Sequence, residues 1–346
     1  MRNSTIEIYR LFFSILIVLC HIGNRVWIPL EDRIFQSAWL GVEFFFILSG
    51  YLMSNSIYKI KDHYILGIET INYVYNKVKF IYPTYLFAFI AEFIMEKCVG
   101  IKSGPFLYKI YDLFFLRIFG FHGDVLDLSV GASWFLHALF VGMFILYPIA
   151  RRFTDTFHYI IAPLTAAFIL GFFSNCYGHL LFALQFENNI CLGLLRCIGD
   201  LCCGSFVYAL CKLYKERASG NLVKSLYDKK FFLYGQLVAL IVLLHIMMDY
   251  DRSQMNFVSI IFFMILIGFA FLDERKSIFD KLNVSWIADF SLALYLNHII
   301  WIRCLSKLAL PLGLIDRYAF VLVLSVALSF CCICTVKLVR EKVDLL

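Results

Sequence analysis

Two ionisable residues lie in the first strongly apolar stretch of the chain, EIYRLFFSILIVLCHIGNR, which begins at residue 7. Arg10 and His21 are eleven residues apart, so both side chains leave one face of a helix, about 16 Å apart along its axis. A charge inside hydrocarbon is costly, and an ionisable residue there indicates a functional site. A neutral imidazole can take a hydroxyl proton near neutral pH, which makes His21 a candidate general base. The structural alternative is that Arg10 reaches lipid phosphate and His21 contacts a neighbouring helix.

A carboxylate and a hydroxyl lie in the next apolar stretch, LGVEFFFILSGYLM, at residues 40–53. A short link joins the two stretches, so we expect antiparallel neighbours that bring Glu43 to the level of His21. A carboxylate beside an imidazole fixes the tautomer of the ring and raises its basicity. Ser49 is either a packing residue beside Gly50 or part of a cavity wall.

Two further polar pairs lie deep in apolar stretches. Arg196 and Asp200 are spaced i and i+4, which lets them neutralise each other on one helix face; alternatively, Arg196 faces a cavity. Tyr295 and His298, spaced i and i+3, form a polar stripe that either packs against another helix or lines a cavity.

The composition is that of an integral membrane protein. Hydrophobic residues make up 62% of the 346 residues and charged residues only 16%, whereas soluble domains have about 25% charged residues. Since a spanning helix needs about 20 apolar residues, we predict an all-α fold with about ten transmembrane helices. They lie near 8–28, 35–57, 80–97, 131–150, 157–176, 190–211, 231–248, 255–272, 284–302 and 310–336.

One further apolar segment, 106–122, is interrupted by three charges and is predicted to be interfacial or re-entrant. No soluble domain fits elsewhere, so residues 1–346 are predicted to form a single polytopic domain. The first apolar run has no small-residue cleavage site after it, and we expect a retained helix.

The distribution of positive charge predicts the orientation in the membrane. With a cytoplasmic N-terminus, 20 of the 31 Lys and Arg residues fall on the inner side and ten on the outer side. Both termini are therefore predicted to be cytoplasmic. The net charge of +6 is spread over short clusters between apolar runs, which does not favour a nucleic-acid partner.

The cysteines give no clear metal or redox site. Most of the twelve lie in apolar runs, where cysteine behaves as a small hydrophobic residue. Cys331 and Cys334 have CxxC spacing, but no second pair or histidine cluster lies nearby in the sequence, so we predict no metal. A haem protein that uses His21 with His298 or His245 is a weaker alternative, because it depends on lone histidines.

Several segments together resemble the membrane acyltransferase 3 family. The N-terminal "RNSTIEIYRLFFSILIVLCH" followed by "GVEFFFILSGYLM" is similar to the start of that family, including the Arg-x10-His spacing. The resemblance continues, in family order and over nearly the whole chain, with "NKVKFIYPTYL", "SWFLHALFVGMFILYP", "LLRCIGDLCCGSFVY" and "ADFSLALYLNHII".

The resemblance implies an acyltransferase that moves an acyl group, mostly acetyl, from acyl-CoA to a surface carbohydrate. It implies acetyl-CoA as a co-substrate, no bound cofactor, and a multi-pass protein of the cell membrane. His21 would act as general base or transient acyl carrier, with Glu43 orienting it. The family has an Arg-x-x-Arg pair where this chain has Lys77, Lys79 and Phe80, so the two lysines are expected to meet the CoA phosphates together with Arg10. The expected cavity residues are Ser49, Trp134, Arg196, Tyr295 and His298.

A transporter or flippase of glycan or lipid intermediates is the alternative from another functional class. It would also need about ten spans and charges inside the membrane. Such proteins are often built from inverted repeats with broken helices in corresponding halves. The sequence shows no internal repeat and has only six prolines.

Overall fold

The computed structural model describes residues 3–25, 28–29, 32–60, 65–101, 106–121, 130–218, 224–248, 254–273, 275, 284–308 and 310–343. These residues are overwhelmingly helical, and a two-residue hairpin of β1 (Phe186–Glu187) and β2 (Ile190–Cys191) is the one strand pairing in the described part of the chain. The helices are α1 (Ser4–Arg25), α2 (Gly41–Ile57), α3 (Leu66–Val99), α4 (Phe106–Leu113), α5 (Trp134–Arg152), α6 (Thr154–Thr156), α7 (Ala162–Cys176), α8 (Leu192–Ala218), α9 (Lys224–Met248), α10 (Met255–Leu272), α11 (Ser285–Leu308) and α12 (Leu314–Val343).

Nine helical segments in the described ranges are long and apolar enough to cross a membrane. One of them combines α6, a π-helical turn at Phe157–Ile161 and α7 into a continuous segment, Thr154–Cys176. The remaining predicted span, 284–302, forms α11, whose 24 residues are about 36 Å long but include the polar residues Asn297 and His298. The prediction of an all-α multi-pass membrane protein is confirmed.

Helix α3 is longer than the predicted span 80–97. Its 34 residues extend over about 51 Å, whereas the hydrocarbon core of a bilayer is about 30 Å thick. Residues 66–79, which the sequence analysis left between two spans, are helical and continue α3 beyond that span. Glu69 in this extension accepts hydrogen bonds from Tyr147 and Arg151, both at 2.8 Å, so the extension is attached to the end of α5.

The site lies among helices that are distant in the sequence. Helix α1 touches α2, as the short link predicts, but it packs more extensively along α11. Helix α2 packs along α8, and α5 lies against α2, α3 and α8. Helix α1, at the start of the chain, therefore packs side by side with α11, near its end.

Two glycines allow α2 and α8 to lie in direct backbone contact. A Cβ atom on Gly50 would lie 2.1 Å from the carbonyl oxygen of Leu201, and one on Gly204 would lie 1.8 Å from that of Ile47. Small residues serve this purpose in membrane helix pairs generally. Gly50 is thus required by the close packing of α2 on α8.

Replacing Gly50 with alanine is expected to force α2 and α8 apart and to lower the yield of folded protein sharply. Gly171→Ala is a matched control, because a Cβ atom at this position on α7 meets nothing within 4 Å and alanine favours a helix by about 1 kcal/mol. The measurement is the monodisperse fraction of detergent-extracted protein on size-exclusion chromatography. Equal yields for the two variants would contradict the close packing of α2 on α8.

Helix α4 and the 3₁₀ turn after it, Leu116–Phe119, have their polar side inward. Lys109, Asp112 and Arg117 are buried, and Lys109 pairs with Glu96 while Arg117 Nε lies 3.1 Å from Asp112 Oδ1. The aromatic side chains of the same segment are exposed, namely Phe106, Phe114, Phe119 and Phe121. Charged side chains inside and aromatic side chains outside suit a segment that lies against lipid. This is consistent with the predicted interfacial or re-entrant character of 106–122. Residue 122 lies outside the described ranges.

Candidate active site

The two histidines of the predicted site are hydrogen-bonded to each other across α1 and α11. His21 Nδ1 lies 2.7 Å from His298 Nε2, and the two rings are nearly parallel, at 10°. These residues are 277 positions apart, and the packing of α1 along α11 brings them together.

The hydrogen bonds of His298 fix which nitrogen of His21 carries the proton. His298 Nδ1 lies 2.7 Å from the carbonyl oxygen of Tyr295, which can only accept, so this nitrogen carries a proton. In the neutral ring of His298, Nε2 then accepts, and His21 Nδ1 must donate to it. His21 Nε2 is left as the basic nitrogen, which is the arrangement that general-base catalysis requires.

Glu43 does not orient His21 as the sequence analysis expected. Its Oε1 atom accepts a hydrogen bond of 2.5 Å from Arg196 Nε, and the carboxylate is completely buried. The reason is the packing of α2 along α8, which turns Glu43 towards Arg196, while His298 on α11 takes the position beside His21.

Arg196 likewise has a different partner from the one that its spacing suggested. Its ion pair is with Glu43 rather than with Asp200, which is fully buried and close to the same carboxylate. The guanidinium lies between two indole rings, 5.3 Å from the centroids of both Trp39 and Trp134. Its Nη1 also donates to the carbonyl oxygen of Phe182 at 2.8 Å. Contacts with several residues therefore fix the position of the side chain.

A cavity of about 330 Å³, here called the His21 cavity, lies beside His21 and Arg196. Its polar and aromatic lining residues are His21, Trp39, Trp134, Phe182, Gln185, Arg196, Tyr295 and Arg303. Of the predicted site residues, His21, Trp134, Arg196 and Tyr295 therefore share one space.

A second cavity of about 150 Å³, here called the Arg10 cavity, lies towards the N-terminal end of α1. Arg10 and Lys77 supply its positive charge. Ser49 lies in its wall, which is the cavity alternative of the two predicted for this residue. Arg10 Nη1 is 3.6 Å from Glu7 Oε2 on the preceding turn. The remaining wall is mostly apolar, with Phe45, Leu48, Leu52, Phe80, Ile81, Phe135, Leu139, Met143 and Leu292.

Lys79 is not brought to this cavity. It is exposed on α3, whereas Lys77 is partly buried and lines the space beside Arg10. Residues two apart on a helix are separated by about 200°, so the two lysines lie on opposite faces of α3.

Tyr295 is the residue common to both cavities. Its hydroxyl donates to the carbonyl oxygen of Ala132 at 3.0 Å, and its own carbonyl holds the ring of His298. Tyr295 thus borders both cavities, whereas His298, predicted as a cavity residue, is not among the residues that line either cavity and instead supports His21.

Arg303 and Trp39 are among the cavity residues that the sequence did not predict. Arg303 lines the His21 cavity and its Nη1 lies 2.5 Å from Glu92 Oε1. It follows His298 by five residues, but it had been assigned to the region after the span. Trp39 comes four residues before Glu43, a spacing that places both on one helix face and could have identified it.

The direct contact of the two histidines also bears on the haem alternative. Nitrogen atoms 2.7 Å apart leave no room for an iron ion between them. His245, the other candidate ligand, is exposed on α9. Within the described ranges, no group of three or more His, Cys, Asp or Glu side chains is placed to hold a metal ion.

The comparison with known proteins identifies a family over nearly the whole chain. Residues 3–336 match the family model Acyl_transf_3, which is described as an acyltransferase domain. No curated protein and no solved structure matches the chain. Because the matched range is nearly the whole chain, the protein belongs to the acyltransferase 3 family.

Proposed function

We propose that this protein transfers an acetyl group from acetyl-CoA to a hydroxyl group of a surface or extracellular carbohydrate or glycan precursor. The hydrogen-bonded pair of His21 and His298 carries the proposal, because it leaves a basic nitrogen at the edge of a cavity. Family membership supports acyl transfer over the transporter alternative.

The Arg10 cavity is the proposed donor site. Arg10 and Lys77 place two cations in its wall, and charge-assisted hydrogen bonds to phosphate are the strongest that such side chains make. The apolar wall beyond them suits the pantetheine arm of CoA, which has few charges. The donor would then extend from the N-terminal end of α1 towards Tyr295.

The His21 cavity is the proposed acceptor site. In the proposed reaction, His21 Nε2 takes the proton of the acceptor hydroxyl while its oxygen attacks the thioester carbonyl carbon. The tetrahedral intermediate collapses, the C–S bond breaks, and the leaving CoA thiolate receives the proton from His21. Arg196 and Arg303 line the same cavity and supply positive charge for the developing oxyanion.

The proposed roles of the other residues follow from their contacts. His298 orients His21, and Glu43 holds Arg196 through their ion pair. We place the Arg10 cavity on the cytoplasmic side of the cell membrane, where acetyl-CoA is made and where the distribution of Lys and Arg puts the N-terminus. The acceptor would then be reached from the other side.

The test is a comparison of surface glycan from cells with and without the gene. Loss of base-labile acetate from the glycan of the deletion strain, and its return with the wild-type gene but not with His21→Ala, is the expected result. A glycan with unchanged acetate content would reject carbohydrate O-acetylation as the function.

A further inference from the structure

Three aromatic rings lie together in the wall of the Arg10 cavity, on the side where Tyr295 borders the His21 cavity. Phe45 on α2, Phe135 on α5 and Tyr295 on α11 all line the Arg10 cavity, and Tyr295 also lines the His21 cavity. Their ring centroids form a triangle with sides of 6.0, 6.4 and 5.8 Å. Aromatic rings at these separations are in contact, so the triangle has no open centre.

The three rings are not equally fixed. The hydroxyl of Tyr295 is bonded to the carbonyl oxygen of Ala132, and the ring is buried. Phe135 is also buried and packs on Phe46, with centroids 4.8 Å apart. Phe45 is only partly buried, which makes it the ring that can turn aside with the smallest loss of contacts.

This contact lies on the path of the acyl group in the proposed reaction. There, Arg10 and Lys77 hold the donor in one cavity and His21 acts at the other, and Tyr295 with the two rings that touch it lies between them. An apolar constriction between two cavities also excludes water and ions.

We propose that Phe45, Phe135 and Tyr295 form an aromatic gate that seals the two cavities from each other and limits the acyl group that crosses to a small one. Rotation of the Phe45 ring alone opens a gap wide enough for a methyl group, whereas branched or aromatic acyl groups need two rings to move. The size limit depends on the proposed acyl transfer, but the seal does not.

The gate is tested with Phe45→Ala and the milder Phe45→Leu. Phe44→Leu is the matched control, because Phe44 is the neighbouring residue of the same type, contacts Phe45 at 5.5 Å, and lines neither cavity. Membranes of the deletion strain, which contain the cell's own glycan, are supplied with labelled acetyl-CoA, isobutyryl-CoA or benzoyl-CoA. Base-labile label in the glycan is then measured per folded enzyme.

We expect wild type and Phe44→Leu to transfer acetyl with little isobutyryl or benzoyl. In the Phe45 variants, the ratio of acetyl transfer to isobutyryl or benzoyl transfer should fall by about tenfold or more. This is the usual effect of enlarging an apolar pocket. In a second measurement, each protein is reconstituted without substrate into vesicles of phosphatidylcholine and phosphatidylglycerol that contain a pH-sensitive dye. The Phe45 variants should leak protons faster than wild type after an acid jump.

Each outcome decides a separate point. Acyl transfer by wild type, together with folded Phe45 variants that neither accept larger donors nor leak, would overturn the gate. Efficient benzoyl transfer by wild type would overturn the size limit. A wild-type protein that transfers no acyl group would overturn the proposed function, and the vesicle measurement would still decide whether the rings form a seal.

Discussion

His21→Ala is expected to lower acyl transfer by about 100- to 10,000-fold, the usual contribution of a general base. The variant removes the nitrogen that receives the hydroxyl proton but leaves α1 among the same helices. The measurement is turnover of acetyl-CoA per folded molecule, with the folded amount taken from size-exclusion chromatography. A purely structural histidine would instead reduce the folded amount and leave turnover per molecule unchanged.

Two variants of His298 test whether this residue orients the proposed base, His21. His298→Gln retains an acceptor oxygen for the Nδ1 proton of His21, so it should recover part of the activity that His298→Ala loses. His245→Ala is the control, because that side chain is exposed on α9 and lines neither cavity. Equal activity of His298→Ala and wild type would contradict the role of His298 in orienting the base.

Arg10→Ala is expected to raise the KM for acetyl-CoA by about 10- to 100-fold, because a hydrogen bond to a charged group contributes about 1.5–3 kcal/mol. Arg10→Lys should recover part of this, since lysine keeps the charge but lacks the planar fork of the guanidinium. Lys77→Gln should act in the same direction as Arg10→Ala, because both side chains line the same cavity.

Lys79→Gln is the matched control for Lys77→Gln. It removes the same charge two residues further along α3, on the exposed face. The measurement is the KM for acetyl-CoA at saturating acceptor in detergent or membranes. A similar increase for both lysine variants would show that overall charge, rather than the wall of the Arg10 cavity, determines donor affinity.

The sequence predicts the helices better than it predicts which helices pack together. Apolar runs of sufficient length identify the spans, and the i, i+11 spacing correctly places Arg10 and His21 on one face of α1. The partner of His21 could not be read in this way, because the short link after α1 indicates α2 as a neighbour whereas α11 lies closer along its length. For this reason the predicted contact of Glu43 with His21 is wrong, and Glu43 pairs with Arg196 on α8 instead.

The two lysines illustrate a prediction that the sequence could have given. Once residues 66–79 are recognised as helical, the two-residue spacing of Lys77 and Lys79 excludes their facing one cavity. The position of Trp39 could be inferred from helical spacing as well, whereas Arg303 lies about 140° around α11 from His298 and could not. The aromatic gate could not, because it joins α2, α5 and α11 and no local pattern connects them.

The pairing of α1 with α11 has a consequence for the biogenesis of the protein. Ribosomes add about 5–20 residues per second, so roughly 14–55 s separate the synthesis of His21 from that of His298, 277 positions later. During this interval α1 can be inserted with a histidine and an arginine whose final surroundings do not yet exist. A chain that ends before α11 contains the base but neither the residue that orients it nor Tyr295. With the proposed roles of His21 and His298, unfinished chains are expected to be inactive until nearly the whole polypeptide has entered the membrane.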